Sequence, residues 1–235
     1  MSMDVSIVIP TYNERENVES IIGLIQDVFT KNNILGEILI IDDNSPDGTG
    51  KIADKLSKKY TNIRVFHRKG KLGIGAAYKF GFKKSIAPVV MEMDADNSHN
   101  PKYIPDFLDA MKTHDFAVGN RYIKGGGIIN WSTYRKFVSS FANSISATIL
   151  RVKTKDITTG YRVYKKEVLQ RINIDKITSN GYSFQVEILT RLIRAGCTLK
   201  EVPIVFVDRT RGKSKLSKLE VIKFLYTVLR LRLTR

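Results

Sequence analysis

The chain has 235 residues, of which 43% are apolar and 26% charged, which suits one large globular domain or one domain with an extension. Its single cysteine, Cys197, excludes an internal disulfide, no uncharged apolar stretch reaches the roughly 18–20 residues of a membrane-spanning helix, and the N-terminus lacks a signal-peptide pattern, so a reducing, cytoplasmic setting is expected. The net charge of +16 predicts attraction to polyanions such as nucleotides, nucleic acid or an anionic membrane surface.

The first half of the chain alternates short strands with amphipathic helices. Strands are predicted at DVSIVIP, EILIIDD, IRVFHR, PVVMEMD and DFAVGN, with helices at residues 14–30, 50–60, 75–85 and 101–111 between them. This alternation predicts an α/β fold with a mostly parallel central sheet flanked by helices. Because ligands bind at the carboxyl ends of parallel strands, the loops after these strands are the candidate site.

The second half is less regular and ends in a basic helix. Helices are predicted at residues 131–151, 182–195 and 217–234, with a turn and strand at DITTGYRVY and a strand at TLKEVPIVFV. From Arg209 to the end, nine Lys or Arg residues face the single acid Glu220. The last helix is expected to be either an ordinary core helix or an amphipathic helix that lies in a membrane interface.

Two carboxylates follow the fourth predicted strand, in MDADNSHNP. Asp94 and Asp96 are two residues apart, so in an extended segment they point to the same side. A divalent cation stabilises two such carboxylates in the ionised form, and Mg²⁺ or Mn²⁺ suits the pair because these ions keep positions for phosphate oxygens. The alternative is a simple turn at Asp96 and Asn97. His99 is excluded from the catalytic set, because a lone loop histidine is more often a packing residue.

Other loops carry groups that fit a phosphorylated ligand. Asp43 ends the second strand, where a carboxylate can accept hydrogen bonds from a base or a ribose. KLGIGAAYKFG lacks the third glycine of a dinucleotide fingerprint, so a nicotinamide or flavin cofactor is not predicted. VDRTRGKSKLSK places basic residues on a glycine-containing loop, where they either form a solvated charge run or neutralise phosphates.

Together these segments carry a resemblance. SIVIPTYNERENV, IIDDNSPDGT, MDADNSHNP, GNRYIKGGG, TGYRVYKKEVL and DRTRGKSKL resemble the family 2 glycosyltransferases, and among them the dolichol-phosphate mannose synthases, in the same order over nearly the whole chain. The resemblance implies a GT-A type nucleotide-sugar transferase fold and a metal-dependent, inverting transfer of mannose from GDP-mannose to dolichyl or another polyprenyl phosphate. UDP-glucose or another nucleotide sugar is the alternative donor. A nucleic-acid-binding module ranks last, because no recognition motif is present.

The resemblance also implies roles for individual residues. The implied donor-binding set is Pro10, Tyr12, Glu14, Ile41, Asp43, Asp94, Ala95, Asp96, Arg121, Arg209 and Lys215. The implied catalytic residues are Asp96, Arg121, Arg209 and Lys215, and the acceptor phosphate is expected at Arg121, Arg135 and Arg209. The implied metal ligands are Asp94, Asp96 and Ser98. Ser98 stands where some members have a glutamine ligand, and a serine hydroxyl can bind a metal ion directly or through water.

The resemblance extends to domain organisation and location. A catalytic domain is expected at residues 1–216, with a nucleotide-binding half at 1–119 and an acceptor-binding half at 120–216, followed by a membrane-interface helix at 217–235. The expected partners are GDP-mannose, a polyprenyl phosphate, the membrane surface and small membrane proteins, but no nucleic acid. The expected location is the cytoplasmic face of a membrane, with the chain attached peripherally.

Overall fold

The computed structural model describes residues 3–208 and 218–234. Its strands are β1 (Val5–Thr11), β2 (Gly36–Asp42), β3 (Ile63–His67), β4 (Val89–Glu92), β5 (Phe116–Asn120), β6 (Gly127–Ile129), β7 (Arg162–Lys165), β8 (Leu199–Pro203) and β9 (Val205–Val207). Its helices are α1 (Val18–Asn32), α2 (Thr49–Lys59), α3 (Ile74–Lys84), α4 (Ile104–Ala110), α5 (Thr133–Leu150), α6 (Lys166–Arg171), α7 (Tyr182–Arg194) and α8 (Lys218–Leu233). The five strands predicted in the first half are therefore confirmed.

Seven strands form the central sheet in the order β3-β2-β1-β4-β7-β5-β8. Strands β1 to β4 are mutually parallel, and β8 is parallel to β5. The strand β7 alone runs antiparallel, between β4 and β5, so the predicted mostly parallel sheet is confirmed with one reversed strand in its middle. The carboxyl ends of β1, β2 and β4 consequently meet at one edge of the sheet.

Both faces of this sheet are buried, because its central strands are continuous apolar runs. Val8, Leu39 and Val90 face a core layer that α3, α5, α7 and α8 cover. The alternate residues Ile7, Ile40 and their neighbours face a second layer, which α1, α2 and α4 cover. Helices therefore flank the sheet on both sides, as the alternation of elements predicts.

Several predicted elements have different bounds in the structure; the helix predicted at residues 101–111, for example, is a 3-10 turn at Pro101–Tyr103 followed by α4. The single strand predicted at TLKEVPIVFV divides at Ile204 into β8 and β9, and β9 pairs with β6 in a separate two-stranded sheet. Pro203 ends the ladder of β8, because proline has no N–H to donate. The first helix begins at Val18 rather than at residue 14, because the Glu14 carbonyl accepts hydrogen bonds from the Asn17 and Val18 amides and closes a turn.

The helices α5 and α8 expose large apolar side chains. On α8, Phe224, Val228 and Leu231 are buried against the domain. The opposite side of α8 is exposed at Ile222, Leu225, Tyr226, Leu229 and Leu233, and α5 is exposed at Tyr134, Phe137, Val138, Phe141 and Ile145. Among the helices that the structure describes, none is both long enough and apolar enough to cross a membrane.

Candidate active site

A cleft of about 430 Å³ opens at the carboxyl ends of β1, β2 and β4. Its lining residues are Pro10, Thr11, Tyr12, Glu14, Asp43, Lys71, Gly73, Ile74, Ala77, Asp94, Ala95, Asp96, Thr158, Gly160, Asn180, Gly181, Tyr182, Gln185 and Lys223. Residues of the first half form one wall, and residues from the start of α7 and from α8 form the other. The position is the one that the strand topology predicts for a ligand.

Asp94 and Asp96 lie in this cleft directly after β4. The Ser98 hydroxyl donates to Asp96 Oδ1 at 2.5 Å, and the Ser98 amide donates to the same oxygen at 3.1 Å. Asn97, between them, has a left-handed backbone with φ of 62°, which asparagine tolerates better than most residues. The predicted turn therefore exists, but it holds Asp96 in the cleft. Because the hydroxyl of Ser98 is engaged by Asp96, Ser98 orients this carboxylate.

Asp94 is held from two sides. The Tyr78 hydroxyl donates to Asp94 Oδ1 at 3.1 Å, and the Asp94 amide donates to His99 Nδ1 at 3.0 Å. His99 is buried and its ring stacks on Tyr161, with 4.8 Å between the ring centroids. His99 Nε2 also lies 3.7 Å from Asp94 Oδ2, so this buried ring contacts both the backbone and the carboxylate of Asp94.

Beneath the acid pair, Glu92 and Gln185 form a buried polar contact. Gln185 Nε2 donates to Glu92 Oε2 at 2.6 Å, and the Tyr164 hydroxyl donates to Glu92 Oε1 at 3.1 Å. Burial raises the pKa of Glu92 to about 7, against the opposing effect of the Arg162 charge. Gln185 also lines the cleft, so this network supports its floor.

The wall formed by the first half carries most of the predicted donor-binding residues. Arg68 binds Asp43 at two points, with Nε 2.5 Å from Oδ1 and Nη2 2.7 Å from Oδ2. The Lys71 ammonium lies 4.5 Å from the centroid of the Tyr12 ring. Ile41 differs from this group: it is fully buried in the core layer and does not line the cleft, so its side chain is placed for packing.

Arg121 and Arg135, the predicted phosphate-binding arginines that the structure describes, do not line the cleft. Arg121 is buried, and it lies behind the lining residue Thr158, whose hydroxyl accepts from Arg121 Nη2 at 3.0 Å. Arg135 Nη1 lies 2.6 Å from Asp208 Oδ2, and its guanidinium carbon lies 4.0 Å from the Trp131 ring centroid. Arg209 and Lys215 lie outside the described residues. Asp208, the partner of Arg135, directly precedes Arg209 in the sequence.

The carboxylates of the cleft fit a divalent cation whose coordination shell is completed by substrate oxygens. Among residues 3–208 and 218–234, no three His, Cys, Asp or Glu side chains converge as a self-sufficient metal site. The pair Asp94 and Asp96 remains, and Mg²⁺ is commonly held by one or two carboxylates together with substrate phosphates and water. The residues present therefore fit a magnesium-type ion and do not form an all-protein cage.

Several cleft residues were not predicted as site residues. They are Thr11, Lys71, Gly73, Ile74, Ala77, Thr158, Gly160, Asn180, Gly181, Tyr182, Gln185 and Lys223. The clearest sequence signal was the glycine at position 73, in the segment that lacks a dinucleotide fingerprint. Its backbone has φ of 90°, and an added Cβ would lie 1.9 Å from Asn180 Nδ2. Asn180 in turn accepts from the Gly75 amide at 2.9 Å, which joins the two walls.

Comparison with known proteins gives matches over most of the chain. Residues 6–172 match the family model Glycosyl transferase family 2. The chain is 41% identical over 227 residues to the polyprenol monophosphomannose synthase of Mycolicibacterium smegmatis, covering 94% of this chain and 84% of that protein. It is 40% identical over 218 residues to the undecaprenyl-phosphate mannosyltransferase of Micrococcus luteus, covering 92% of this chain and 88% of that protein.

Solved structures share the architecture at lower identity. A glucosyl-3-phosphoglycerate synthase from Mycobacterium tuberculosis, solved with Mn²⁺, UDP and glucosyl-3-phosphoglycerate, superposes with a TM-score of 0.71 and 19% identity, covering 97% of this chain and 79% of that one. The mannosyl-3-phosphoglycerate synthase from Rubrobacter xylanophilus superposes with a TM-score of 0.69 and 19% identity, covering 97% and 72%. These structures have the same arrangement of strands and helices as this chain.

Proposed function

Because the chain belongs to glycosyl transferase family 2 and has its GT-A type fold, we propose that the cleft transfers mannose from GDP-mannose to a polyprenyl phosphate of the dolichyl class, with inversion at the sugar carbon. The observation that carries the proposal is the position of Asp94 and Asp96 between the two walls of the cleft. The named activities of the two relatives support mannose as the sugar and a polyprenyl phosphate as the acceptor.

We place the nucleotide of the donor on the wall formed by the first half. Asp43 is held rigidly by Arg68, so its carboxylate oxygens are oriented to accept hydrogen bonds from a base or a ribose. The Tyr12 ring, with Lys71 over it, offers a flat apolar surface for a base. Guanine is our proposal for the base, and uracil is the alternative.

The diphosphate of the donor belongs beside the acid pair. Breaking the bond between the sugar and the diphosphate builds negative charge on the leaving group. A Mg²⁺ or Mn²⁺ ion held there supplies Lewis-acid stabilisation of that charge. Asp94 and Asp96 would hold the ion, and Ser98 orients Asp96. Arg209 and Lys215 are proposed to add positive charge from the segment that follows Asp208.

The acceptor needs no dedicated base in this scheme. A phosphate monoester has a second pKa of about 6, so near neutral pH its oxygen is already largely ionised and can attack the sugar carbon. The task of the second wall is then to bind the acceptor phosphate and to orient it. Arg121 and Arg135 are proposed to contribute, Arg121 through its contact with Thr158.

We propose further that the apolar surface of α5 and α8 docks onto a bilayer on its cytoplasmic face. On α5, the exposed apolar residues recur at spacings of three and four, whereas the buried side holds Asn143, Ser146, Ala147 and Leu150. This is the reverse of an ordinary surface helix, whose large apolar residues face the core. The net charge of +16 complements anionic headgroups, and a prenyl acceptor resides in the bilayer.

A donor-competition assay tests the proposed function. The full chain is incubated with labelled GDP-mannose or UDP-glucose and a short-chain prenyl phosphate, while Mg²⁺ and Mn²⁺ are titrated separately. We expect product from GDP-mannose, dependence on either ion, and loss of product with a chelator. Product formed only from UDP-glucose would show that the proposed donor is wrong. Equal activity with and without chelator would show that the reaction does not need a divalent ion.

A further inference from the structure

Lys223 lines the catalytic cleft although it belongs to α8, a helix that the family comparison does not cover. Arg230 attaches the cleft side of α8 to the domain. It lies seven residues after Lys223 and therefore on the same side of the helix, since two turns contain about seven residues. Arg230 Nη2 lies 2.5 Å from Glu187 Oε2, and Nη1 donates to Thr178 at 2.7 Å. Glu187 and Thr178 lie on α7 and just before it, beside the second wall of the cleft.

The side of α8 that carries Lys223 lies between its buried and its exposed apolar sides. Phe224 and Val228 are buried in the core, while Ile222, Tyr226 and Leu229 are exposed. Lys223 is therefore placed where the cleft meets the apolar surface of α8. This is the place at which a molecule with an anionic head and an apolar chain can put its head in the cleft and its chain on the surface.

The position of Lys223 within the cleft also separates it from the nucleotide. Its neighbours along the second wall are Asn180, Gly181 and Tyr182, whereas Asp43, Tyr12 and Lys71 line the first wall. A lysine ammonium is a compact charge on a flexible stem, suited to a phosphate whose position varies as the lipid moves. We propose that Lys223 binds the phosphate of the polyprenyl phosphate acceptor at the junction of the cleft and α8. This inference rests on the proposed function.

Substitution of Lys223 tests the inference with two independent measurements. Equilibrium binding of a short-chain prenyl phosphate and of GDP-mannose is measured separately, and KM is then measured for each substrate. Loss of a charge-assisted contact in Lys223→Gln should weaken prenyl phosphate binding by roughly ten- to a hundredfold and raise its KM in parallel, with GDP-mannose affinity nearly unchanged. Lys223→Arg should recover most of the acceptor affinity, because it keeps the charge.

Lys200→Gln is the matched control, since it removes one exposed lysine charge from β8, outside the cleft lining. We expect Lys200→Gln to change acceptor binding by less than about threefold. The inference is overturned if Lys223→Gln has an equally small effect on acceptor binding, or if it weakens donor binding as much as acceptor binding. In either result the wild-type chain still transfers mannose, so the proposed function stands. Absence of any mannose transfer by the wild-type chain would instead remove the proposed function itself.

Discussion

Arg121 and Asp156 form a buried ion pair with two contacts, in which Nε lies 2.6 Å from Oδ2 and Nη2 lies 2.8 Å from Oδ1. Burial lowers the pKa of Arg121, but the Asp156 carboxylate more than offsets this effect, so the pKa lies above its usual range. The same guanidinium donates to Thr158, which lines the cleft. The pair therefore links a buried charge to the wall where the acceptor phosphate is proposed to bind.

Removing the charge of Asp156 should destabilise the fold, because Arg121 would remain buried without its partner. For Asp156→Asn we expect the free energy of unfolding to fall by about 3–5 kcal/mol, as measured by urea denaturation. The control is Asp109→Asn, which breaks an exposed pair with Lys112 and should change the free energy by less than about 0.5 kcal/mol. Equal losses of unfolding free energy in the two variants would show that the buried ion pair stabilises the fold no more than the exposed one.

Asp96 and Ser98 should differ in their effect on catalysis. Asp96→Asn should lower kcat/KM by at least about a hundredfold while the fold is retained, because this carboxylate is proposed to hold the ion that stabilises the leaving diphosphate. Ser98→Ala should keep measurable activity but need more metal ion for half-maximal rate, since the hydroxyl orients Asp96. Metal titrations of both variants, with Asp106→Asn on α4 as control, provide the measurement. A fully inactive Ser98→Ala would make Ser98 a ligand.

Gly73 and Gly70 offer a matched pair of glycines. An alanine at Gly73 would need a backbone with φ of 90° and would place its Cβ within 1.9 Å of Asn180, whereas nothing lies within 4 Å of a Cβ at Gly70. We expect Gly73→Ala to lower the free energy of unfolding by at least about 1 kcal/mol and to weaken donor binding. Gly70→Ala should change neither the free energy of unfolding nor donor binding beyond measurement error. Thermal melts and donor titrations of the two variants decide the matter.

Much of the fold and part of the site were predictable from local patterns. Parallel strands that are buried on both faces are continuous apolar runs, so β1, β2 and β4 stand out in the sequence, and the acid pair follows one of them. Lys223 and Gln185 could not be predicted, because their places in the cleft depend on how α7 and α8 pack. Periodicity indicates which residues share a side of a helix but not what that side contacts.

The helix α5 is a second case in which periodicity does not indicate what a side of the helix contacts. The spacing of Phe137, Phe141 and Ile145 predicts one apolar side of a helix, and such a side normally faces the core. In the structure these residues are exposed, and the core receives Asn143, Ser146 and Ala147 instead. Asn143 is retained inside because its amide donates to Thr158 at 3.2 Å and accepts from the Ile157 amide at 2.9 Å. Only tertiary contacts decide between the two sides.

The exposed aromatic pair on α5 provides a test of bilayer docking. The Phe137 and Phe141 rings stack with 6.1 Å between their centroids. The double variant Phe137→Ser, Phe141→Ser should reduce co-sedimentation with vesicles of anionic lipid by roughly tenfold or more, because two aromatic side chains no longer enter the interface. Leu24→Ser with Ile86→Ser is the control, since both residues are exposed elsewhere, Leu24 on α1 and Ile86 on the loop between α3 and β4. Unchanged vesicle binding, with loss of self-association instead, would assign this surface to a second copy of the chain.

Glu187 should make the attachment of α8 sensitive to acid. Burial raises the pKa of Glu187, but the hydrogen bond from Ser179 and the charges of Arg191 and Arg230 lower it more, so the pKa lies below its usual value of 4.5. The folded state therefore binds the proton less tightly than the unfolded state. The resulting stabilisation is complete well above pH 4.5 and is lost as the pH falls through the lowered pKa.

The measurement is urea unfolding of the wild-type chain and of Glu187→Gln between neutral pH and about pH 3. At neutral pH the variant should be less stable by about 3 kcal/mol, because Arg230 and Arg191 lose a buried carboxylate. The difference should shrink as the pH falls below 4.5, since the wild-type carboxyl is then protonated and loses the same ion pairs. Glu167→Gln, at an exposed position of α6, should give parallel curves for variant and wild type. A gap between Glu187→Gln and wild type that stays constant down to the lowest pH would mean that packing, rather than the charge of Glu187, holds α8 in place.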